Sequence, residues 1–118
     1  KLGTINVSRL YFEELLQNFI TNAIKYTKEG SVTIGARKSK GVVRFTVTDT
    51  GIGISRSDQN KVFSKFYRSE DYRIRETNGT GLGLYVANKL AHKLHTRIEL
   101  KSRINHGSAF SFELPSAE

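Results

Sequence analysis

Three glycines fall within five residues, at Gly79, Gly81 and Gly83, directly before an apolar pattern of helical spacing. Gly83, Ala87, Leu90, Ala91 and Leu94 recur at i, i+4, i+7, i+8 and i+11, the core stripe of an amphipathic helix. Glycine costs about 1 kcal/mol relative to alanine inside a helix, so such a cluster marks a turn feeding a helix start. Unbonded backbone N–H groups and the helix dipole converge there and suit an anion such as phosphate. A plain structural turn is the competing reading, because glycine-rich loops are common.

A second helical pattern runs from Ser8, a natural N-cap, to about Thr27. Phe12, Leu15, Leu16, Phe19 and Ala23 define its buried face, and Gly30 stops it. Beside that face, Glu14, Asn18, Asn22 and Lys25 line one stripe at i, i+4, i+8 and i+11. Asparagine is a poor helix-interior residue, because its amide competes for backbone bonds. An amide oxygen is a hard, neutral ligand suited to Mg2+ that already carries phosphate, and Lys25 could pair with a phosphate. The stripe also fits an ordinary polar helix face.

Alternation marks the strands. Thr4-Ile5-Asn6-Val7 is a short one. Val32, Ile34 and Ala36, then Val43, Phe45 and Val47, predict an antiparallel hairpin with one face buried. Asp49 ends its second strand, before Thr50-Gly51-Ile52-Gly53-Ile54. A carboxylate only accepts hydrogen bonds, so Asp49 could receive one from the exocyclic amine of adenine, with glycines letting a planar ring approach. An Asp-x-Gly turn with no ligand fits equally. Ser57 to Phe66 suggests a short helix, and Tyr67 to Thr80, without periodicity, a mobile polar lid loop. Arg97 to Ser102 and Ser108 to Leu114 close the chain as two strands.

The order β-α-β-β-α-α-β-β argues for an α+β fold, a mixed and largely antiparallel sheet with helices on one face. A chain of 118 residues has room for one domain, spanning 1–118. The net charge of +8 favours phosphate-bearing partners, but no basic run with interleaved aromatics points to nucleic acid. No apolar run approaches the roughly 20 residues of a membrane span, so no direct membrane contact is expected. Cysteine is absent, which excludes disulfides and thiolate metal sites. Methionine is absent even at position 1, and the chain is expected to be part of a longer protein.

Familiar nucleotide motifs fail. Leu84 stands where the last glycine of G-x-G-x-x-G would be, no P-loop run occurs, and neither H-R-D nor D-F-G is present. In order, however, five segments resemble the boxes of the sensor histidine kinase catalytic domain, in the superfamily shared with gyrase, Hsp90 and the mismatch-repair protein MutL. Leu16 to Thr27 resembles the N box, Asp49 to Ile54 the G1 box and Phe63 to Arg68 the F box. Gly79 to Leu84 resembles the G2 box, and Gly107-Ser108-Ala109-Phe110 the last glycine motif.

The resemblance implies a two-layer α/β sandwich, with about five strands carrying three helices on one side. It implies ATP and Mg2+ as cofactors. Asn22 would hold the metal, with Asn18 beside it, and Lys25 and Tyr26 would contact phosphate or ribose. Asp49 would bind the adenine amine, with Gly51, Gly53 and Ile54 around the ring and Phe66 in the same pocket. Arg68 would reach phosphate from the lid base, Gly79, Thr80, Gly81, Leu82, Gly83 and Leu84 would cradle the phosphate tail, and Ser108 would support Asp49 or the adenine through water.

Gyrase-like relatives carry a water-activating Glu four residues before the metal-binding Asn. Here that position is Asn18, which cannot act as a base, so catalysis would rest on positioning and on charge from Mg2+, Lys25 and Arg68. The family's acceptor histidine is followed by an acidic residue. His92, His95 and His106 are followed by Lys93, Thr96 and Gly107, so the acceptor is expected on a separate dimerisation domain. A response regulator would be the downstream partner, in the cytoplasm of a bacterium, with the parent protein membrane-anchored or soluble. A degenerate nucleotide-binding or scaffolding domain is the alternative.

Overall fold

The computed structural model describes residues 8–64 and 83–116. Ser8 caps the first helix as expected: its backbone is extended, and its Oγ accepts from Tyr11 N–H at 3.5 Å. The helix, α1, spans Arg9–Lys25 and buries Leu15, Phe19 and Ala23. Strands β1 (Val32–Ser39), β2 (Val42–Asp49), β3 (Glu99–Arg103) and β4 (Gly107–Pro115) form one sheet in the order β1-β2-β4-β3. Every pairing is antiparallel. Helices α2 (Arg56–Gln59) and α3 (Gly83–Lys93) complete the described elements.

Pairing register decides which side chains meet the helices. Val43, Val47 and Asp49 share a face with their partners Leu114, Phe110 and Ser108. That face packs against α1 and α3, where Phe19, Leu15, Ala87, Leu90 and Ala91 close the core. Phe19 stacks on Phe110 at 5.1 Å and Phe45 on Phe112 at 5.4 Å, while Phe12 meets Phe45 edge-on at 4.9 Å. Each such pair adds about 0.5–1.5 kcal/mol beyond burial.

On the opposite face Arg44 binds Glu99, Glu113 and Ser111 Oγ. Partial burial works against its charge, but hydrogen bonds and attraction from the two glutamates outweigh that and raise its pKa.

Helix α3 ends in a Schellman motif. Thr96 N–H donates to Ala91 O at 2.9 Å and His95 N–H to His92 O at 3.0 Å. His95 takes the left-handed position, with φ 58°, where glycine is the usual residue.

Three expectations meet differences here. Among the described residues the sheet has four strands and is wholly antiparallel, where a mixed sheet of about five was expected; the proposed strand Thr4 to Val7 lies outside them. The β1–β2 hairpin is buried only on its β2 side. At the sheet edge, beyond the helices, β1 leaves even Ile34 52% exposed. The helix expected over Ser57 to Phe66 ends at Gln59 and gives way to turns through Ser64, because Lys61 N–H and Ser64 N–H bond three residues back. The polar loop Tyr67 to Thr80 lies outside the described residues.

Candidate functional site

One row of side chains crosses the helix-covered face where β2 ends. Val32, Asp49, Ser108 and Ser102 are successive cross-strand partners on β1, β2, β4 and β3. Asp49 is only 7% exposed, yet it bears a carboxylate. Its Oδ1 accepts from Gly51 N–H at 2.9 Å, which folds the chain back immediately after the strand. Among the described residues this is the side chain's sole hydrogen bond, so the second oxygen is left to accept from a ligand.

The glycine loop after Asp49 is tied down on both sides. Ile52 N–H reaches Tyr26 O at the end of α1 at 3.4 Å, and Asn105 N–H reaches Ile52 O at 2.7 Å. Gly53 has φ 73°, and a Cβ there would strike the Arg103 backbone. Gly107 has φ 93°, and a Cβ there would strike the Asp49 carbonyl. Both positions therefore demand glycine for conformation and for space.

Helix α1 brings its polar stripe to the same end of the fold. Asn18 Nδ2 donates back to Glu14 O at 3.0 Å. That bond directs Asn18 Oδ1 toward the start of α3, where a Cβ on Gly83 would lie 3.8 Å away. Asn22 is half-buried and Lys25 likewise, and neither side chain has a partner among the described residues. A cleft of about 290 Å3 opens beside them, walled by Lys25, Tyr26, Lys28, Glu29, Thr50, Gly51, Ile52 and Asn105. It takes in three of the expected ligand contacts (Lys25, Tyr26 and Gly51), while Asp49 and Asn22 lie outside its lining. Thr27 Oγ1, buried without a hydrogen-bond partner among the described residues, stands 2.7 Å from where a Cβ on Gly51 would be.

Of the other expected contacts, Ile54 and Leu84 are half-buried and pack against the core, and Ser108 is 8% exposed. Phe66, Arg68, Gly79, Thr80, Gly81 and Leu82 lie outside the described residues. Two residues at the site escaped the sequence reading, Ser102 and Gln59. Ser102 Oγ accepts from Ile54 N–H at 2.7 Å, and Gln59 Nε2 donates to Ile54 O at 2.9 Å and to Ser102 O at 3.0 Å. The signal for Ser102 was present. Alternation from Leu100 places it inward at the level of Ser108.

No group of three or more His, Cys, Asp or Glu side chains among the described residues could hold a metal alone. The neutral amides of Asn18 and Asn22 fit a cation that arrives with its charge already matched by phosphate.

Residues 8–118 match the family described as histidine kinase-, DNA gyrase B- and HSP90-like ATPases. The chain belongs to that family. It is 41% identical over 101 residues to the sensor-like histidine kinase SenX3 of Mycolicibacterium smegmatis, covering 85% of this chain and 26% of that protein. It is 39% identical over 113 residues to the sensor histidine kinase RppB of Synechocystis, covering 93% of this chain and 24% of the relative. The crystal structure of full-length ShkA in complex with AMPPNP superimposes with a TM-score of 0.83 at 31% identity, over 97% of this chain and 23% of that one. The nucleotide-free catalytic domain of histidine kinase ThkA gives 0.77 at 29%, over 95% of this chain and 70% of that domain. The chain thus spans about a quarter of the length of the curated relatives it matches. Its fold is that of the ATP-binding catalytic domain of sensor histidine kinases.

Proposed function

We propose that residues 1–118 form one domain that binds ATP with Mg2+ and passes the γ-phosphoryl group to a histidine on a separate dimerisation domain of its parent protein. A response regulator then receives it. In the transfer, an imidazole nitrogen forms the new N–P bond as the bond to the β,γ-bridging oxygen breaks, and ADP leaves. The observation that carries this reading is the approach of Asn18 Oδ1 to Gly83, which joins the asparagine stripe to the glycine-led helix start.

In this reading Asp49 accepts from the adenine amine, and Gly51, Gly53, Ile54 and Phe66 surround the base. Asn22, with Asn18, holds Mg2+. Lys25, Tyr26 and Arg68 address ribose and phosphates, and the amides from Gly79 to Leu84 cradle the tail. Bound Mg2+ supplies charge neutralisation on the phosphates. Asn18 provides no base for water, which suits a site that waits for imidazole rather than one that hydrolyses. The histidines of this chain serve elsewhere: His92, His95 and His106 are all exposed, and His95 is engaged in ending α3. Among the described residues no helix is long and apolar enough to cross a membrane. We place the domain on the cytoplasmic side, where ATP is found.

The test uses γ-labelled ATP, Mg2+ and the parent protein's dimerisation helices supplied separately. Label should appear on the helices, stable to alkali and labile to acid, and disappear with Asn22→Ala. Label on this chain itself, or label that survives Asn22→Ala, would contradict the assignment.

A further inference from the structure

Ser102 sits at the junction of four groups, and their chemistry favours one arrangement of the protons. Ile54 N–H can only donate, and it points at Ser102 Oγ from 2.7 Å. Gly107 O can only accept, and it lies 2.9 Å from the same oxygen. A serine hydroxyl has one hydrogen, and Gly107 O can take it while Ile54 N–H fills a lone pair. In that arrangement Ser108 is the donor of the 2.7 Å contact between Ser102 Oγ and Ser108 Oγ, either of which could donate. Ser108 is left presenting acceptor lone pairs on the face it shares with Asp49, whose free carboxylate oxygen is also an acceptor.

From this geometry we infer that Ser102 is a positioning residue for base selection: it locks the Ser108 hydroxyl as an acceptor and anchors the glycine loop through Ile54. The inference rests on the adenine-site reading above and adds its physical basis. Two acceptors side by side accommodate a base edge that brings an amine N–H, or a bridging water that brings O–H. A carbonyl at the same place meets two lone pairs and no proton. Gln59 reinforces the anchor by binding Ile54 O and Ser102 O together, so both backbone polar groups of Ile54 are held by side chains.

The discriminating probes are ADP and IDP: C6 carries an amine in the first and a carbonyl in the second, and N1 changes from an acceptor to an N–H donor. Wild type should bind ADP more tightly than IDP. In Ser102→Ala the Ser108 hydroxyl is released and can turn its proton into the site, so the ADP-to-IDP affinity ratio should fall about tenfold. Ser102→Thr keeps a hydroxyl and should restore the ratio. Damage to packing alone would weaken both nucleotides alike and leave the ratio in place, and that result would overturn the inference, as would failure of the threonine to rescue. Should Ser102→Ala not fold, Ser102→Cys offers a weaker S–H donor of similar shape; an unchanged ratio there overturns the inference equally. If wild type binds neither nucleotide, the adenine-site reading falls and this one with it. ADP binding with an unmoved ratio removes this inference alone.

Discussion

Asp49 on β2 and Ser108 on β4 are direct cross-strand partners on the face that α1 and α3 cover. Each is less than a tenth exposed, at one end of a face whose other inward positions on these two strands are Val43, Phe45, Val47, Phe110, Phe112 and Leu114. Burying a carboxylate beside a hydroxyl costs several kcal/mol unless something satisfies them. A single protein bond, from Gly51 N–H, meets the Asp49 carboxylate among the described residues. The pair therefore reads as a site awaiting a donor rather than as a structural pin.

Gly107 and Gly83 differ in what a side chain would meet. With φ 93° and the Asp49 carbonyl against its Cα, Gly107→Ala should cost about 2–4 kcal/mol and lower Tm by roughly 10 °C. Gly83→Ala meets only Asn18 Oδ1 at 3.8 Å, so Tm should move by a few degrees at most. ADP affinity should nonetheless fall about tenfold in Gly83→Ala, if the helix start is where phosphate rests. Melting curves with and without ADP check both, and unaltered ADP affinity in Gly83→Ala would remove that helix start from the site.

His95→Gly should stabilise the chain. A non-glycine residue in the left-handed region costs about 1–2 kcal/mol, part of which glycine gives back through its looser unfolded state. A net gain near 1 kcal/mol, or roughly 4 °C in Tm, is expected from thermal unfolding, with nucleotide binding unaltered.

Much of this was legible in the sequence, and the exceptions share a cause. Periodicity located α1, α3 and all four described strands, and all but β1 bury the face that it marks. The Ser8 cap and the Asp49 loop followed from local chemistry. What escaped depends on neighbours distant in the chain. Ile34 alternates like a buried residue, but its strand is the sheet edge and the helices do not reach over it. Alternation turns Ser102 inward, but its partner Ile54 is 48 residues away, and Gln59 looks like an ordinary polar residue until α2 brings it to Ile54 and Ser102. His95 gave no warning either, since glycine is the expected residue where α3 ends.

Thermal unfolding with ADP, with and without Mg2+, on wild type and Asp49→Asn tests most directly whether Asp49 reads the base of a bound adenine nucleotide. The substitution keeps an oxygen for Gly51 N–H, so the loop geometry should survive while the charge and one acceptor are lost. Nucleotide at about 100 times Kd adds about 2.7 kcal/mol, a rise of roughly 10 °C for wild type. That rise is expected in wild type and its loss in Asp49→Asn, with the two unliganded melting points close together. Equal shifts in both proteins, or none in wild type at millimolar ADP, would contradict that role for Asp49.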